Sequence, residues 1–262
     1  MNFSNALSLA DRTAFVTGAG AGLGRSVARL MAAAGACVVC ADIDADAAEA
    51  TAAEIRATGA TAHSQGLDVT DREAVRAAVR AACARTGRLD AMCNIAGVPG
   101  DGQQVADLDE ASFDRVFAVN FKGVLFGSQA ALECMTGAKR GAIVNMASSA
   151  IDLAFPGSAS YSVAKSAVVM FTKTLATEAG PLGIRANVVA PGFVPTRLSM
   201  LRNDDDDATR QAYLAAWAQR APLQRVGDAD DIAHQFLYLA SDAASFVTGQ
   251  ILRANGGATM PW

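Results

Sequence analysis

Histidine is almost missing from this 262-residue chain: His63 and His234 stand far apart. Zinc and related metals are held by His, Cys and carboxylates at short, regular spacings. Neither histidine has such neighbours, so no metal site is expected. Cysteine is sparse and odd in number, at Cys37, Cys40, Cys83, Cys93 and Cys134. Cys37-Val-Val-Cys40 has redox-pair spacing but lies in an apolar β-branched run. Residues three apart on a strand point to opposite faces, which disfavours a bridge or a chelate. Basic runs are lacking too, Lys139-Arg140 being the longest, and 22 Lys and Arg against 26 Asp and Glu leave a net charge of −4. Nucleic-acid backbones require concentrated positive charge, so no nucleic-acid partner is expected, and an anionic ligand must be held by local dipoles. The longest apolar stretch, Val27 to Ala41, is broken by Arg29 and Gly35. It is too short to span a bilayer. The opening Met-Asn-Phe-Ser-Asn shows no basic region ahead of an apolar block, and a cytoplasmic protein without a membrane partner is expected.

What is present is apolar and alanine-rich: 52% hydrophobic residues, 6% aromatic and 18% charged. That suits one large α/β domain with closely packed helices. Short β-branched runs alternate with helical patterns. Strands are predicted at 13–17, 36–41, 61–67, 89–94, 141–147, 184–190 and 250–253. Helices are predicted at 22–34, 44–58, 70–86, 160–179 and 228–240, with two more between 94 and 141. Continuous apolar strands between helices call for a parallel sheet buried on both faces. Right-handed crossovers then produce a doubly wound, Rossmann-type sheet with helices on both faces. No linker divides residues 1–262, so a single domain is expected, with a substrate lid around 193–220. The long irregular stretch Pro191 to Asp207 ends in Asp204-Asp205-Asp206-Asp207, which reads as a solvated turn.

The first strand runs into Thr17-Gly18-Ala19-Gly20-Ala21-Gly22-Leu23-Gly24. Such a turn brings bare backbone and a helix N-terminus to an anionic pyrophosphate, although it could equally be a tight strand–helix connection. The Gly-x-Gly-x-x-Gly spacing is not met, because position 23 is Leu. Asp42 ends the second strand, where a carboxylate can accept from both hydroxyls of an adenosine ribose and repel a 2′-phosphate. A helix-cap role would fall more naturally to Asp44. Ile43 follows, where a 2′-phosphate site often has a basic side chain. These residues point to NAD(H).

Tyr161 and Lys165 are four apart and share one helix face. A phenol is a poor base at neutral pH, and a neighbouring ammonium would favour its ionised form. Alone, Tyr-x-x-x-Lys also arises by chance on amphipathic helices. The surrounding motifs give it context, because from Thr17 nearly to the C-terminus the chain resembles the short-chain dehydrogenase/reductase family. Thr17 to Gly24 resembles that family's own glycine turn. Asp68-Val69 matches its adenine-contacting pair. Asn94-Ile95-Ala96-Gly97 resembles its Asn-Asn-Ala-Gly turn, with Ile second, and Pro191-Gly192-Phe193-Val194-Pro195-Thr196 resembles its nicotinamide-binding segment. Thr248-Gly249-Gln250 and Gly256-Gly257 match its C-terminal signature, although Asn255 stands where aspartate is commoner. Asn120, Ser148, Tyr161 and Lys165 match its catalytic tetrad. Ser149 is an adjacent candidate to Ser148.

The resemblance implies hydride transfer between nicotinamide and a secondary alcohol or ketone. Ser148 would donate to the substrate oxygen, Tyr161 would exchange its proton, Lys165 would acidify the phenol and hold the ribose, and Asn120 would position a relay water. Cofactor contacts are expected from Gly18, Gly22, Leu23, Gly24, Asp42, Ile43, Asp68, Val69, Asn94, Ala96, Gly97, Tyr161, Lys165, Pro191, Gly192, Val194 and Thr196. Substrate walls are expected from residues 98–104, 150–158 and the segment after Pro191. Leu153, Phe155, Phe193, Met200, Leu201 and Trp217 make these regions largely apolar. Apolar residues on several faces of 120–135, and Val168 to Phe171, suggest a homo-oligomer, as in the tetramers common among such relatives. The competing expectations are a 3-oxoacyl-thioester reductase, which Asp42 disfavours if NADPH is its donor, and a catalytically silent dinucleotide-binding regulator.

Overall fold

The computed structural model describes residues 6–200 and 206–261. Seven strands form one sheet: β1 (Thr13–Thr17), β2 (Cys37–Asp42), β3 (Ala62–Gly66), β4 (Ala91–Asn94), β5 (Gly141–Met146), β6 (Ile184–Val189) and β7 (Ile251–Leu252). Their order is β3-β2-β1-β4-β5-β6-β7, and every neighbouring pair is parallel. The chain winds outward from β1 to β3, then returns to place β4 on β1's other side. That reversal opens a crevice at the carboxyl ends of β1 and β4, where ligands of open α/β sheets bind.

Strict alternation along the strands divides the core into two layers. Ala14, Val16, Val38, Cys40, Ala91 and Cys93 face one cluster, packed by Val27 and Met31 of α1 (Gly22–Ala33) and by Ile232 and Phe236 of α8 (Ala229–Ala240). Phe15, Val39, Ala41 and Met92 face the other cluster. That cluster is packed by Val75 and Val79 of α3 (Arg72–Thr86), Ala130 and Met135 of α5 (Gly123–Met135), and Leu175 of α6 (Ala159–Ala179). Helices on both faces explain the strands' unbroken apolar character. Cys40 is buried in the first cluster and burial pushes its thiol up to about 12, so it behaves as a small hydrophobe. The edge strand β3 is the polar exception, half exposed along its length.

Helix starts follow local chemistry. Asp44 caps α2 (Ala45–Ala57), Asp71 caps α3, Asp109 caps α4 (Glu110–Phe117), and Asp228 with Asp231 forms a capping box on α8. Two expectations change. Residues 110–135 form one continuous helical run, with α4 and α5 joined by a π turn over Ala118–Lys122, not two separated helices. Asp206 is not part of a mere turn. It caps α7 (Asp207–Ala218), accepting the Thr209 N–H at 2.7 Å. Thus the segment expected to form a lid carries a helix; Asp204 and Asp205, with Leu201, lie outside the described residues. Among the described residues no helix is long and apolar enough to cross a membrane.

Candidate active site

The glycine turn lies in the crevice between β1 and β4. Gly18 has φ +69°, and a Cβ there would stand 2.9 Å from the Ala96 Cα. Only glycine satisfies both constraints. A Cβ on Gly24 would meet the Gly18 carbonyl oxygen at 2.0 Å, so the helix can follow the turn this closely only without one. Thr17 ties the two strand ends together: its hydroxyl accepts the N–H groups of Ile95 and Ala96 at 3.0 and 3.2 Å. The N-cap of α1 is Ala21, and no side chain caps it or adds an acid to its first turn. The asparate-capped helices satisfy these amides themselves; α1 leaves them for an anion.

Asp42 stands beside this turn, accepting the Gly20 N–H at 2.9 Å and the Asp44 N–H at 3.1 Å. Ile43 next to it is 75% exposed. Asp68 is exposed and holds the Thr70 N–H and hydroxyl, while Val69 is buried against Gly123 at the start of α5. Thr196 faces Gly22, leaving 3.6 Å to a hypothetical Cβ there. Ser199 folds the segment around it, accepting the Thr196 N–H at 2.8 Å and donating to the Val194 carbonyl at 2.6 Å. Pro191 accepts the Ser149 N–H at 2.8 Å, and Gly192 donates to Ala254 at 3.0 Å. The glycine turn, the open helix end and the Asp42 carboxylate therefore fit a dinucleotide: backbone donors for the phosphates and an acceptor beside them.

Asn94 departs from the expected pattern. Its side chain donates to Asn145 at 2.8 Å and to Ser128 at 3.3 Å, and Asn145 donates to Thr172 at 2.9 Å. This buried chain joins β4 to β5, α5 and α6, so Asn94 contributes to the crevice chiefly by fixing the Ile95-Ala96-Gly97 backbone. Sequence reading missed the role, though two asparagines within apolar strands were the signal.

Ser148, Tyr161 and Lys165 converge at the end of β5. The Ser148 hydroxyl lies close enough to the Tyr161 phenol to lower its pKa, and its oxygen accepts the Ala150 N–H at 3.2 Å. Of the two adjacent serines, Ser148 is the one that acts on the phenol. Lys165 Nζ lies 5.7 Å from the Tyr161 ring centre and donates to the Met146 carbonyl at 3.0 Å. The side chain of Asn120, in the π turn, donates to the Val98 and Val116 carbonyls at 2.9 and 3.0 Å. Its Oδ1 is buried without a partner. That atom and Lys165 Nζ both border the same side of Gly97. A buried acceptor without a donor suits an ordered water.

Burial dominates the electrostatics of the pair. Burial raises the Tyr161 phenol above its ordinary value, and the Ser148 hydrogen bond is the contribution that lowers it. Lys165 itself, 2% exposed, is brought down by burial to about 8. One of its three N–H donors goes to the Met146 carbonyl, which leaves two for other partners.

Among the described residues no group of three His, Cys, Asp or Glu side chains is placed to hold a metal ion. Beyond Ser149 a cavity of 390 Å³ opens between Leu153, Phe155, Phe193 and Trp217. Phe193 and Trp217 stack at 4.6 Å, and Phe155 meets Trp217 edge-on at 5.9 Å. Four of the expected apolar wall residues therefore line one cavity, while Met200 and the segment 98–104 do not line it. Arg253 pairs with Asp152 through two contacts, 2.7 and 3.1 Å, and so ties β7 to the loop after Ser148; no motif spacing announced it.

The family described as enoyl-(acyl carrier protein) reductase matches residues 18–259. A cis-4-hydroxycyclohexanecarboxylate dehydrogenase of Sinomonas cyclohexanicum is 38% identical, covering 96% of this chain and 98% of its own. A cyclopentanol dehydrogenase of Comamonas testosteroni is 35% identical over 95% of this chain and 97% of its own. The crystal structure of a short-chain type dehydrogenase/reductase from Mycobacterium marinum superposes with a TM-score of 0.89 at 32% identity, covering 98% of each chain. With these similarities spanning the whole crevice, the chain belongs to the short-chain dehydrogenase/reductase family, oxidoreductases that act on CH–OH groups with a nicotinamide dinucleotide.

Proposed function

We propose that the protein interconverts a secondary alcohol and its ketone with NAD(H), using Ser148, Tyr161, Lys165 and Asn120. The observation that carries this reading is the grouping of Ser148, Tyr161 and the buried Lys165 at the end of β5, with Asn120 Oδ1 and Lys165 Nζ on the same side of Gly97. The bound dinucleotide would accept or deliver the hydride and, when oxidised, add positive charge to the cleft. Ser148 donates to the substrate oxygen and stabilises its developing charge. Tyr161 takes the hydroxyl proton during oxidation and returns one during reduction. Lys165 supplies a donor for a ribose hydroxyl, and the free Oδ1 of Asn120 holds a water through which the proton leaves. Backbone amides of Gly18 to Gly24 would hold the pyrophosphate, and Leu23, Asp68, Val69, Ala96, Gly97, Gly192, Val194 and Thr196 would border the remaining length. Dinucleotide reduction measured against a panel of ring and open-chain secondary alcohols tests the reading; no turnover with any of them refutes it.

The preference for NAD rests on Asp42. Its carboxylate would receive ribose hydroxyls and repel a 2′-phosphate, and apposed like charges cost several kcal/mol. Wild-type kcat/KM should favour NAD over NADP by about 100-fold or more, at 1.4 kcal/mol per decade. Because Asp42 also accepts the Gly20 N–H, Asp42→Asn is the cleaner variant. It retains an acceptor while removing charge, and should relax the preference toward unity. A wild-type enzyme that prefers NADP contradicts the assignment.

The protein is further proposed to form a tetramer through α4, α5 and α6. Val163 and Met170 on α6 are 49% and 64% exposed, beside a partly buried row of Phe113, Phe117 and Phe121. Light scattering at micromolar concentration should give four times the 26.9 kDa chain mass; a monomer overturns this.

A further inference from the structure

The aromatic cavity is not electrically neutral. Three charged side chains border it: Arg220, Arg225 and Asp231. Two of them neutralise each other, Arg225 meeting Asp231 through contacts of 2.5 and 2.9 Å. Asp231 is further tied to the start of α8, accepting the Asp228 N–H at 2.8 Å. That ion pair is a fixed part of the cavity floor. Arg220 differs. No carboxylate among the described residues lies within ion-pair distance of it. Its guanidinium lies over the Trp217 ring, 4.5 Å from the centre. Trp217 in turn is stacked on Phe193 with only 6° between the rings. An arginine laid on an aromatic face keeps its donors free at the edge of the plane and gives up little freedom when it engages a carboxylate.

We infer that the substrate carries an anionic group, most simply a carboxylate, which Arg220 receives across the aromatic cavity from the alcohol carbon. This rests on the dehydrogenase reading above and assigns the substrate class of that site. Ser149, adjacent to the serine assigned to the reacting oxygen, and Arg220 both line this cavity. Between them the walls are Leu153, Phe155, Phe193 and Trp217, which suit a hydrocarbon spacer such as a ring. A second cation would be repelled.

The test compares 4-hydroxycyclohexanecarboxylate with its primary amide, which has the same shape without the charge. A hydrogen bond to a charged partner contributes about 1.5–3 kcal/mol, so the wild-type kcat/KM ratio of acid to amide should be about 10- to 100-fold. Most of that ratio should lie in KM. Arg220→Gln should bring it toward one, and Arg220→Lys should restore part of it. Calorimetric titration of cyclohexanecarboxylate into the NADH-loaded protein gives a readout without turnover. Binding should be seen in wild type and lost in Arg220→Gln. An acid-to-amide ratio near one in wild type, or a ratio that survives Arg220→Gln, overturns the inference while leaving the dehydrogenase reading intact. Where neither compound nor cyclohexanol is oxidised, the dehydrogenase reading is what fails, and the calorimetry then decides the carboxylate assignment by itself.

Discussion

Tyr161→Phe should lower turnover by about 10²–10⁴-fold, the usual worth of a positioned general acid–base group, while dinucleotide affinity changes little. Phenylalanine keeps the ring that Lys165 borders and removes only the hydroxyl on which Ser148 acts. The catalytic loop need not collapse, because Ser148 still accepts the Ala150 N–H, Ser149 still donates to Pro191, and Asp152 remains paired with Arg253. Steady-state rates in both directions, with dinucleotide binding followed by fluorescence, separate the two effects. Several per cent of wild-type turnover remaining would remove the phenol from its assigned role.

The same residue predicts a pH signature with a definite sign. Oxidation needs the phenolate and should speed up as pH rises; reduction needs the phenol and should slow. Burial raises this group's pKa, and the Ser148 hydrogen bond is what opposes the rise. Ser148→Ala should therefore move both profiles to higher pH, in addition to its cost in transition-state stabilisation. A serine that only packed the loop would lower the rate and leave the profile where it was.

The sheet was legible in the sequence because each strand is buried on both faces and so reads as a short apolar run between helices. The boundaries of β1 coincide with the prediction and those of β5 and β6 differ by one residue at the end. Helix α7 was not legible: none of its residues is buried, so no apolar stripe records its period. Only Asp206, three residues before Thr209, marked its start. The π turn at Asn120 was hidden for another reason. It inserts one residue into a helix without changing composition, yet it is what turns the Asn120 amide toward Val98 and Gly97. The pairing of Asp152 with Arg253 spans 101 residues and follows from the sheet order alone. The site's members were visible as motifs; their electrostatic relation was not, because burial, not spacing, sets the charge state of Tyr161 and Lys165.

That relation leads to the second large effect, at Lys165. Its ammonium is 2% exposed, pairs with no carboxylate among the described residues, and relies on the Met146 carbonyl at 3.0 Å. Burial brings its pKa from 10.5 to about 8, which corresponds to about 3 kcal/mol against the folded state wherever both states keep the charge. The sign follows from proton binding. Below about pH 8 both states are protonated and the full penalty applies. Between about 8 and 10.5 the unfolded chain holds the proton that the native protein has released, so stability rises with pH. Lys165→Met removes the penalty at all pH values and leaves the Met146 carbonyl without its donor, which costs about 1–3 kcal/mol. Relative to wild type, the variant should thus lose about 3 kcal/mol of stability between pH 7 and pH 10.5, measured by urea unfolding without added dinucleotide. A constant difference over that range would mean that the lysine is not desolvated as its surroundings imply. Catalysis should fall by about 10³-fold, and, unlike Tyr161→Phe, with weaker dinucleotide binding, since the donor for the ribose goes with the charge. An enzyme that retains an uncompensated buried ammonium at a stability cost, when methionine would pack in its place, retains it for what that ammonium does in the cleft.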